Sequence, residues 1–221
     1  MNDFQTFFDQ FPTTFVHKGE VVLHQGDIPR HAYAIKQGVI KVTNLTSHGE
    51  EKSLAFKSVG DLLPMYWIFG RSQTVLYYHQ AHTDCQLYVI DRESILEHVA
   101  QNPSFSKYIF DTLVSAEMNR ALQVEALEQS RAQLKLLYTF RHLALMNGVE
   151  LKDGLVKINI PLTQQELANF IGLTRETTVL ELRKLKRLML IFREHKYYLV
   201  DTTKLDGLID DEYDPGLMTN Y

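Results

Sequence analysis

The sequence predicts an α+β protein in three consecutive parts: an antiparallel β domain, a long helical segment and a smaller domain in which helices precede a hairpin. Three observations predict this order. Short β-rich segments separated by turn signals fill the first hundred residues, residues 104–147 contain no proline or glycine, and two short capped helices follow. We place the three parts at residues 1–102, 103–147 and 148–221.

Composition limits the possible locations and cofactors. The chain has 221 residues and one cysteine, Cys85, which excludes a disulfide within the chain and a cluster held by several of its cysteines. It contains no run of about 18 uncharged apolar residues, and no basic region followed by an apolar core stands at its start. We therefore expect a cytoplasmic protein with no membrane-spanning segment.

The first part consists mainly of predicted strands. Segments rich in β-branched and aromatic residues, at 21–24, 31–35, 39–42 and 86–90, are separated by glycine-containing turns. Short strands at such intervals are typical of an antiparallel sandwich or jelly roll. Residues 3–11 carry aromatic side chains at helical spacing, which predicts a short helix packed on the strands: Phe4, Phe7, Phe8 and Phe11.

The second part, residues 103–147, is rich in strong helix formers. More than 40 helical residues would be unusual for one helix of a compact domain. We expect a long helix at about 104–134 that forms a dimer interface, followed by a linking helix. The apolar residues of the long helix do not form a clean heptad, so a helix packed only on its own β domain remains an alternative: Leu113, Met118, Ala121, Val124, Leu127 and Leu134.

The third part has the signals of two capped helices and a hairpin. After a predicted strand at 155–160, Thr163 and Glu166 form a capping box at the start of one helix. Gly172 provides a tight turn, and Thr174 caps a second helix that ends at about Arg187. Residues 190–193 and 197–200 then flank a short turn. This order predicts a winged helix-turn-helix.

The second of these helices has one apolar and one polar face. Thr178, Leu182, Leu185 and Met189 form the predicted inner stripe. The opposite, outer face consists of Glu176, Leu180, Arg183, Lys184 and Arg187.

This polar face is what a DNA-recognition helix requires. Arg175, in the first turn, is placed to reach base edges, the flank supplies cations for phosphates, and Lys196 of the hairpin is placed to touch a phosphate. The chain has a net charge of −4, but residues 162–204 hold eight basic and five acidic side chains. Such a locally basic module on an acidic chain favours specific DNA binding.

Both ends of the chain resemble the CRP/FNR superfamily of bacterial transcription regulators. GEVVLHQGD at 19–27 and YAIKQGVIKV at 33–42 resemble the family's cyclic-nucleotide-binding-like sensor domain. LTQQELA at 162–168 and GLTRET at 172–177 resemble its DNA-binding motif. The resemblance implies that Arg175 and Glu176 read base edges. It also implies contacts to the DNA backbone from Thr163, Gln165, Thr174, Thr177 and Lys196.

The chain departs from the family pattern at Leu180, where members often have an arginine. An arginine forks onto guanine, whereas a leucine offers only apolar contact, for instance to a thymine methyl group. We therefore expect a different base preference at the position that Leu180 faces.

The sensor loop also departs from the family pattern. Cyclic-nucleotide sensors of the family carry a glycine and an acid, followed by an Arg-Ser pair that binds the phosphate. Counted forward from Gly60, Arg71-Ser72 occupies the position of that Arg-Ser pair. Counted backward from the next predicted strand, Val75-Leu76 occupies it instead. The interior of the loop is largely apolar. The candidate effector residues are Asp61, Leu62, Leu63, Arg71, Ser72 and Glu125.

We expect an effector other than a cyclic nucleotide, or none, because fold does not determine ligand. Glu125-Ala126 replaces the hydroxylated pair with which family members reach the purine. No pair among the nine histidines stands out as axial haem ligands, and no required cofactor or metal site is predicted.

The sequence thus predicts a homodimeric transcription regulator that binds a pseudo-palindromic operator and responds to an effector through its jelly-roll domain. The expected partners are double-stranded DNA, a second copy of the chain and RNA polymerase. An alternative is a ligand-binding module whose helix-turn-helix is a protein-interaction surface. An enzyme is the least favoured class, because the sequence shows no nucleophile–base set, no metal-ligand spacing and no phosphate loop of catalytic type. Cys85, with His82 and Asp84 nearby in sequence, is expected at the start of a strand in a packing role.

Overall fold

The computed structural model describes residues 3–45, 51–151 and 154–213. The chain divides into two compact units, Met1–Ser115 and Ala116–Tyr221. Within the described residues, no helix is long and apolar enough to cross a membrane.

The first unit is a β jelly roll, as the sequence predicts. Its strands are β1 (Thr13–Val16), β2 (Val21–Leu23), β3 (Ala32–Gln37), β4 (Ile40–Leu45), β5 (Glu51–Lys57), β6 (Leu62–Leu63), β7 (Tyr78–Ala81) and β8 (Cys85–Ile90). They pair antiparallel in two four-stranded sheets, with the orders β1-β8-β3-β6 and β2-β7-β4-β5. Three helices accompany them: α1 (Asp3–Phe8), α2 (Met65–Ile68) and α3 (Arg92–Gln101).

An aromatic cluster packs the helices of this unit against one sheet. Phe7 and Phe8 of α1 are buried beside Tyr88 of β8 and Phe105. The Phe7 ring also stacks on the ring of His98, with centroids 4.0 Å apart. The structure thus confirms the helix near the start of the chain that the phenylalanine spacing predicts. Helix α3 was not predicted.

The helical segment is divided differently from the prediction. Helix α4 spans Pro103–Glu128 and α5 spans Ala132–Asn147, so the expected long helix at 104–134 is wrong at its C-terminal end, and Leu134 belongs to α5. Side-chain donors occupy the last carbonyls of α4: the Gln129 amide donates to Glu125 O at 3.0 Å, and the Lys135 ammonium to Leu127 O. Such capping ends a helix without proline or glycine.

The second unit contains the end of α4, helix α5 and a small sheet with three further helices in its described part. The elements after α5 are β9 (Gly148–Glu150), β10 (Leu155–Ile158), α6 (Gln164–Ile171), α7 (Arg175–Arg187), β11 (Ile191–Glu194), β12 (Tyr197–Asp201) and α8 (Thr202–Tyr213). The sheet has the order β11-β12-β10-β9, and α5 packs against α6, α7 and α8. The predicted strand at 155–160 is confirmed over four residues, while β9 and α8 were not predicted.

A compact core holds the helix pair α6–α7 on this sheet. Leu167 and Ile171 of α6 and Leu185 of α7 are almost completely buried. Phe140 of α5 and Tyr198 of β12 are buried too, with their rings 5.2 Å apart. This packing leaves the outer side of α7 exposed.

Candidate nucleic-acid interface

Helix α6 begins with the capping box that the sequence predicts. The Glu166 amide donates to Thr163 Oγ1 at 3.1 Å, and the Glu166 carboxylate accepts from the Thr163 amide at 2.8 Å. The Thr163 hydroxyl donates to the same carboxylate at 2.8 Å. Two of the amides that an α-helix leaves unpaired at its start are thereby satisfied. Gln165, one position into the first turn, donates to Asn169 at 2.8 Å and remains on the surface.

A tight turn joins α6 to α7. Gly172 has φ 68°, in the left-handed region, and the Leu173 amide returns to Ala168 O at 3.1 Å. Thr174 then caps α7 by accepting from the Thr177 amide at 3.2 Å, and the two threonine hydroxyls lie 2.9 Å apart. The N-terminal end of α7 is thus defined by side chains that stay at the surface.

The two faces of α7 divide largely as the sequence predicts. Thr178, Leu182 and Leu185 are buried, and the Thr178 hydroxyl donates to Thr174 O at 2.9 Å. The outer side chains are exposed: Arg175, Glu176, Leu180, Arg183, Lys184, Lys186 and Arg187.

Met189 does not belong to the inner stripe, contrary to the prediction. Helix α7 ends at Arg187, and Met189 has φ 55° and a side chain that is 58% exposed. The Met189 amide donates to Lys186 O and the Leu190 amide to Leu185 O, which is the hydrogen-bond pattern of a Schellman motif. This motif turns the chain, so Leu190 takes the buried place that the helical pattern gave to Met189.

The basic side chains of α7 differ in whether an acidic side chain of the protein already pairs with them. Across the described ranges, Arg175, Arg183, Lys186 and Arg187 have no ion-pair partner, whereas Lys184 lies 2.7 Å from Glu181 Oε1. Lys186 was not among the predicted contact residues, although it is exposed on the same surface.

Glu181 was also overlooked, because helical spacing alone does not indicate a buried acid. It is 9% exposed, and its second oxygen, Oε2, has no hydrogen-bond partner among the described residues. Pairing with Lys184 compensates the buried charge in part.

A groove of about 580 Å³ runs along the outer side of α7. Leu180 is 56% exposed there and contributes apolar surface beside Val179. The remaining lining residues are Gln164, Arg175, Glu176, Leu182, Arg183 and Lys186. The groove thus combines cationic side chains with the apolar surface of Val179 and Leu180.

A second groove, of about 550 Å³, lies at the start of α6. Thr163, Gln164 and Gln165 line it together with Arg175 and Arg193. Neither Gln164 nor Arg193 was among the predicted contact residues. The position of Gln164 directly after the cap indicates exposure, but nothing local indicates that Arg193, from the hairpin, faces the start of α6.

The hairpin β11–β12 forms the predicted wing. Glu194 pairs with Tyr197, leaving His195 and the exposed Lys196 at the turn. Lys157 of the neighbouring strand donates to Glu194 at 2.8 Å, and this hydrogen bond lowers the pKa of the Glu194 carboxyl. Glu194 is therefore an ionised neighbour of the wing tip whose charge Lys157 offsets.

The candidate effector residues have different surroundings, and only two of them pack in the core. Leu62 and Leu63 are each 1% exposed and belong to the core. Asp61 accepts from the Ser58 amide at 2.8 Å and from Lys57 Nζ at 3.3 Å. Glu125 is exposed on α4 and belongs to the second compact unit.

The loop after β6 begins with one short helix, and the rest of it is irregular. Helix α2 buries Ile68, and Arg71 is exposed in the turn that follows. Ser72 Oγ donates to Thr74 O at 2.7 Å and accepts from the Thr74 amide at 3.2 Å. In the alternative register Val75 is buried in the core, so it packs rather than faces solvent.

Cys85 is buried, and its Sγ contacts Val39 O at 3.4 Å and Thr83 O at 3.2 Å. Burial raises the pKa of the thiol, which is the opposite of what activates a cysteine nucleophile. No cluster of three or more histidine, cysteine or acidic side chains that could hold a metal occurs in the part of the chain described.

A jelly roll in one unit and a capped helix-turn-helix with a wing in the other define a two-domain regulator of the sensor and winged-helix class. Family models agree with both units: the cyclic nucleotide-binding domain matches residues 13–102, and the Crp-like helix-turn-helix domain matches residues 126–208.

Curated relatives span most of the chain. It is 26% identical over 188 residues to the cAMP-activated global transcriptional regulator CRP of Escherichia coli O6:H1, covering 83% of this chain and 86% of that protein. It is also 26% identical over 208 residues to the transcriptional activator protein FnrL of Cereibacter sphaeroides, covering 90% and 81%. A solved structure of a CooA variant from Carboxydothermus hydrogenoformans shares the fold, with a TM-score of 0.74, 20% identity, and coverage of 92% and 89%. The chain belongs to the CRP/FNR family of transcription regulators.

Proposed function

We propose that this chain is a sequence-specific DNA-binding transcription regulator that acts as a homodimer in the cytoplasm. The observation that carries the proposal is the exposed outer side of α7, where Arg175, Arg183 and Arg187 have no ion-pair partner within the described ranges. Unpaired exposed guanidinium groups on a short amphipathic helix cost little to desolvate partly against phosphate, and they fork onto phosphate or guanine.

The position of each group suggests its role. Arg175 and Glu176 stand in the first turn of α7, the part of a recognition helix that reaches base edges. Lys196 at the wing tip and the capped start of α6 at Thr163 lie on the flanks, where the DNA backbone passes in complexes of this type. In this proposal Leu180 provides an apolar contact within the same groove.

The exposed apolar side chains of α4 support the homodimer. Large apolar side chains at helical spacing form a stripe along α4 that is exposed to water, which is unfavourable in free energy. It comprises Phe110 (65% exposed), Val114 (51%), Met118 (46%) and Val124 (55%). A second copy of α4 covers such a stripe by two-fold symmetry, and two α7 helices then bind half-sites about one DNA turn apart.

We further propose that the effector, if one is bound, is not a cyclic nucleotide. Asp61 is already hydrogen-bonded within its own loop, and α2 fills the loop with apolar side chains. RNA polymerase is the proposed partner at promoters.

Selection of bound duplexes from random DNA by the full-length chain, with and without cAMP, tests the proposal. We expect a pseudo-palindromic motif whose enrichment does not depend on cAMP. The variant Arg175→Ala is the matched test for the base contacts and Arg71→Ala for the loop. We expect the first to lose the motif and the second to retain it. Enrichment of no motif by the wild-type chain would refute DNA recognition, and strict dependence on cAMP would refute the proposal on the effector.

A further inference from the structure

Arg193 is the least predictable feature of the second groove. Its side chain leaves strand β11 and makes three hydrogen bonds: Nε donates to His195 O at 2.9 Å, Nη1 to the Tyr198 hydroxyl at 2.8 Å, and Nη2 to Leu162 O at 3.3 Å. The guanidinium thus connects the wing turn, the second wing strand and the residue that precedes the cap of α6.

A backbone contact joins the same two segments. The Leu162 amide donates to Lys196 O at 3.0 Å. Leu162 is therefore bound to the wing tip through both of its backbone polar groups, one directly and one through Arg193. The next residue is Thr163, the cap of α6.

The wing turn needs such support because its backbone is strained. His195 has φ 53°, a backbone conformation that residues other than glycine adopt at a cost in free energy. The carbonyl of His195 is the acceptor of the Arg193 Nε bond. Arg193 therefore stabilises the residue that directs the chain into Lys196.

We infer that Arg193 is a positioning residue that fixes the wing tip against the start of α6, so that Lys196 reaches the DNA backbone. Three of its five N–H groups are already bound within the protein, so in this inference its main role is to hold the wing rather than to bind a phosphate. This inference rests on the proposed DNA binding, but its structural half concerns the free protein.

Binding of the selected duplex at several salt concentrations distinguishes positioning from direct contact. Each lost contact between a lysine and a phosphate reduces the magnitude of the slope of log K against log salt by about 0.9. One substitution in a two-fold dimer removes two such contacts and therefore reduces it by about twice that amount. We expect Lys196→Ala and Arg193→Ala to give the same reduction, and the double variant to give no further one, because both lose the same contact. Arg193→Lys keeps the charge but not the fork, and we expect it to behave as Arg193→Ala does.

Other results would overturn the inference. Additive reductions of the slope would make Arg193 a phosphate ligand in its own right. An unchanged slope in Arg193→Ala or in Lys196→Ala, or a wild-type slope in Arg193→Lys, would exclude action through Lys196. If Arg193→Ala does not fold, Tyr198→Phe decides instead, because it removes only the acceptor of the Nη1 bond. We expect it to weaken binding and lower the slope in the same direction, and wild-type behaviour would overturn the inference.

Hydrogen exchange on the free protein tests the structural half without DNA. We expect the Leu162 amide to exchange at least tenfold faster in Arg193→Ala and Arg193→Lys than in the wild type, and to be unchanged in Lys196→Ala. Unchanged protection of Leu162 in both Arg193 variants would overturn the positioning role. This measurement stands even if the wild-type chain binds no DNA, which would refute the proposed function alone.

Discussion

Gly172 and Met189 are the first left-handed residues after the two helices of the helix-turn-helix, with φ 68° and 55°. Each lets the amides that follow return to carbonyls of the last helical turn. Glycine adopts this conformation freely, whereas methionine must overcome a contact between its Cβ and the backbone. The same backbone requirement is thus met by a suitable residue after α6 and by a strained one after α7.

Glycine at position 189 and alanine at position 172 should change the free energy of unfolding in opposite directions. We expect Met189→Gly to raise the free energy of unfolding by about 0.5–1 kcal/mol, because the side chain is 58% exposed and little packing is lost. Gly172→Ala should lower it by about 1 kcal/mol. A Cβ at Gly172 meets only Leu127 Cδ2, at 4.0 Å, so the loss comes from the backbone rather than from a clash. Urea unfolding measures both, and a stabilised Gly172→Ala would contradict this account.

Leu180 should determine one position of the operator. The variant Leu180→Arg places a guanidinium in the groove on the outer side of α7, where it can fork onto a guanine. We expect the motif selected from random DNA to change at one symmetric pair of positions and elsewhere to remain the same. Leu180→Met, which keeps an apolar contact, is the control and should retain the wild-type motif. An unchanged motif with Leu180→Arg would show that this residue faces no base.

The capping box of α6 should contribute measurably to stability. Thr163→Ala removes the acceptor of the Glu166 amide, and we expect a loss of about 1 kcal/mol in the free energy of unfolding. Thr163→Ser keeps the hydroxyl and should retain most of the wild-type value. Thermal unfolding of the three proteins checks this, and an equal loss in the serine variant would point to packing of the methyl group instead.

His142 should make the protein less stable in mild acid. It is 1% exposed, bonded through Nε2 to Asn119, and burial lowers its pKa from 6.5 to about 4. In the unfolded chain it gains a proton below pH 6.5, while the folded chain resists this until about pH 4. Stability therefore falls as the pH falls through this window, by about 2 kcal/mol from His142 between pH 7 and pH 5.

Urea unfolding of the wild type and His142→Phe at these two pH values isolates this contribution. The variant lacks the titrating group, so its stability should change less between pH 7 and pH 5. His79 in the first unit has a pKa lowered in the same way, and it remains in both proteins as a constant background. Equal pH dependence in the two proteins would mean that His142 titrates normally in the folded state.

Local signals in the sequence predict most of the helix-turn-helix. The cap at Thr163, the turn at Gly172 and the cap at Thr174 depend on residues within four positions of one another, and the structure has all three. The hairpin is equally local, since Glu194 and Tyr197 enclose a two-residue turn.

Features that no characteristic residue type marks in the sequence were not predictable in this way. The break after Glu128 has no proline or glycine to announce it. The Schellman motif takes Met189 out of the inner stripe although the spacing continues through it. Arg193 contacts Leu162, 31 positions earlier, and is indistinguishable in sequence from a free surface cation. Charge and periodicity therefore identify the surface but not which of its cations are already occupied.

Sequence-specific DNA recognition by this chain is best measured through the salt dependence of its binding to the selected duplex. Fluorescence anisotropy with the wild-type chain should give one dimer per duplex, a linear fall of log K with log salt, and at least thousandfold tighter binding than to a scrambled duplex. Arg175→Ala should abolish most of this preference while nonspecific binding remains. Equal affinity for the selected and scrambled duplexes at every salt concentration would contradict the account.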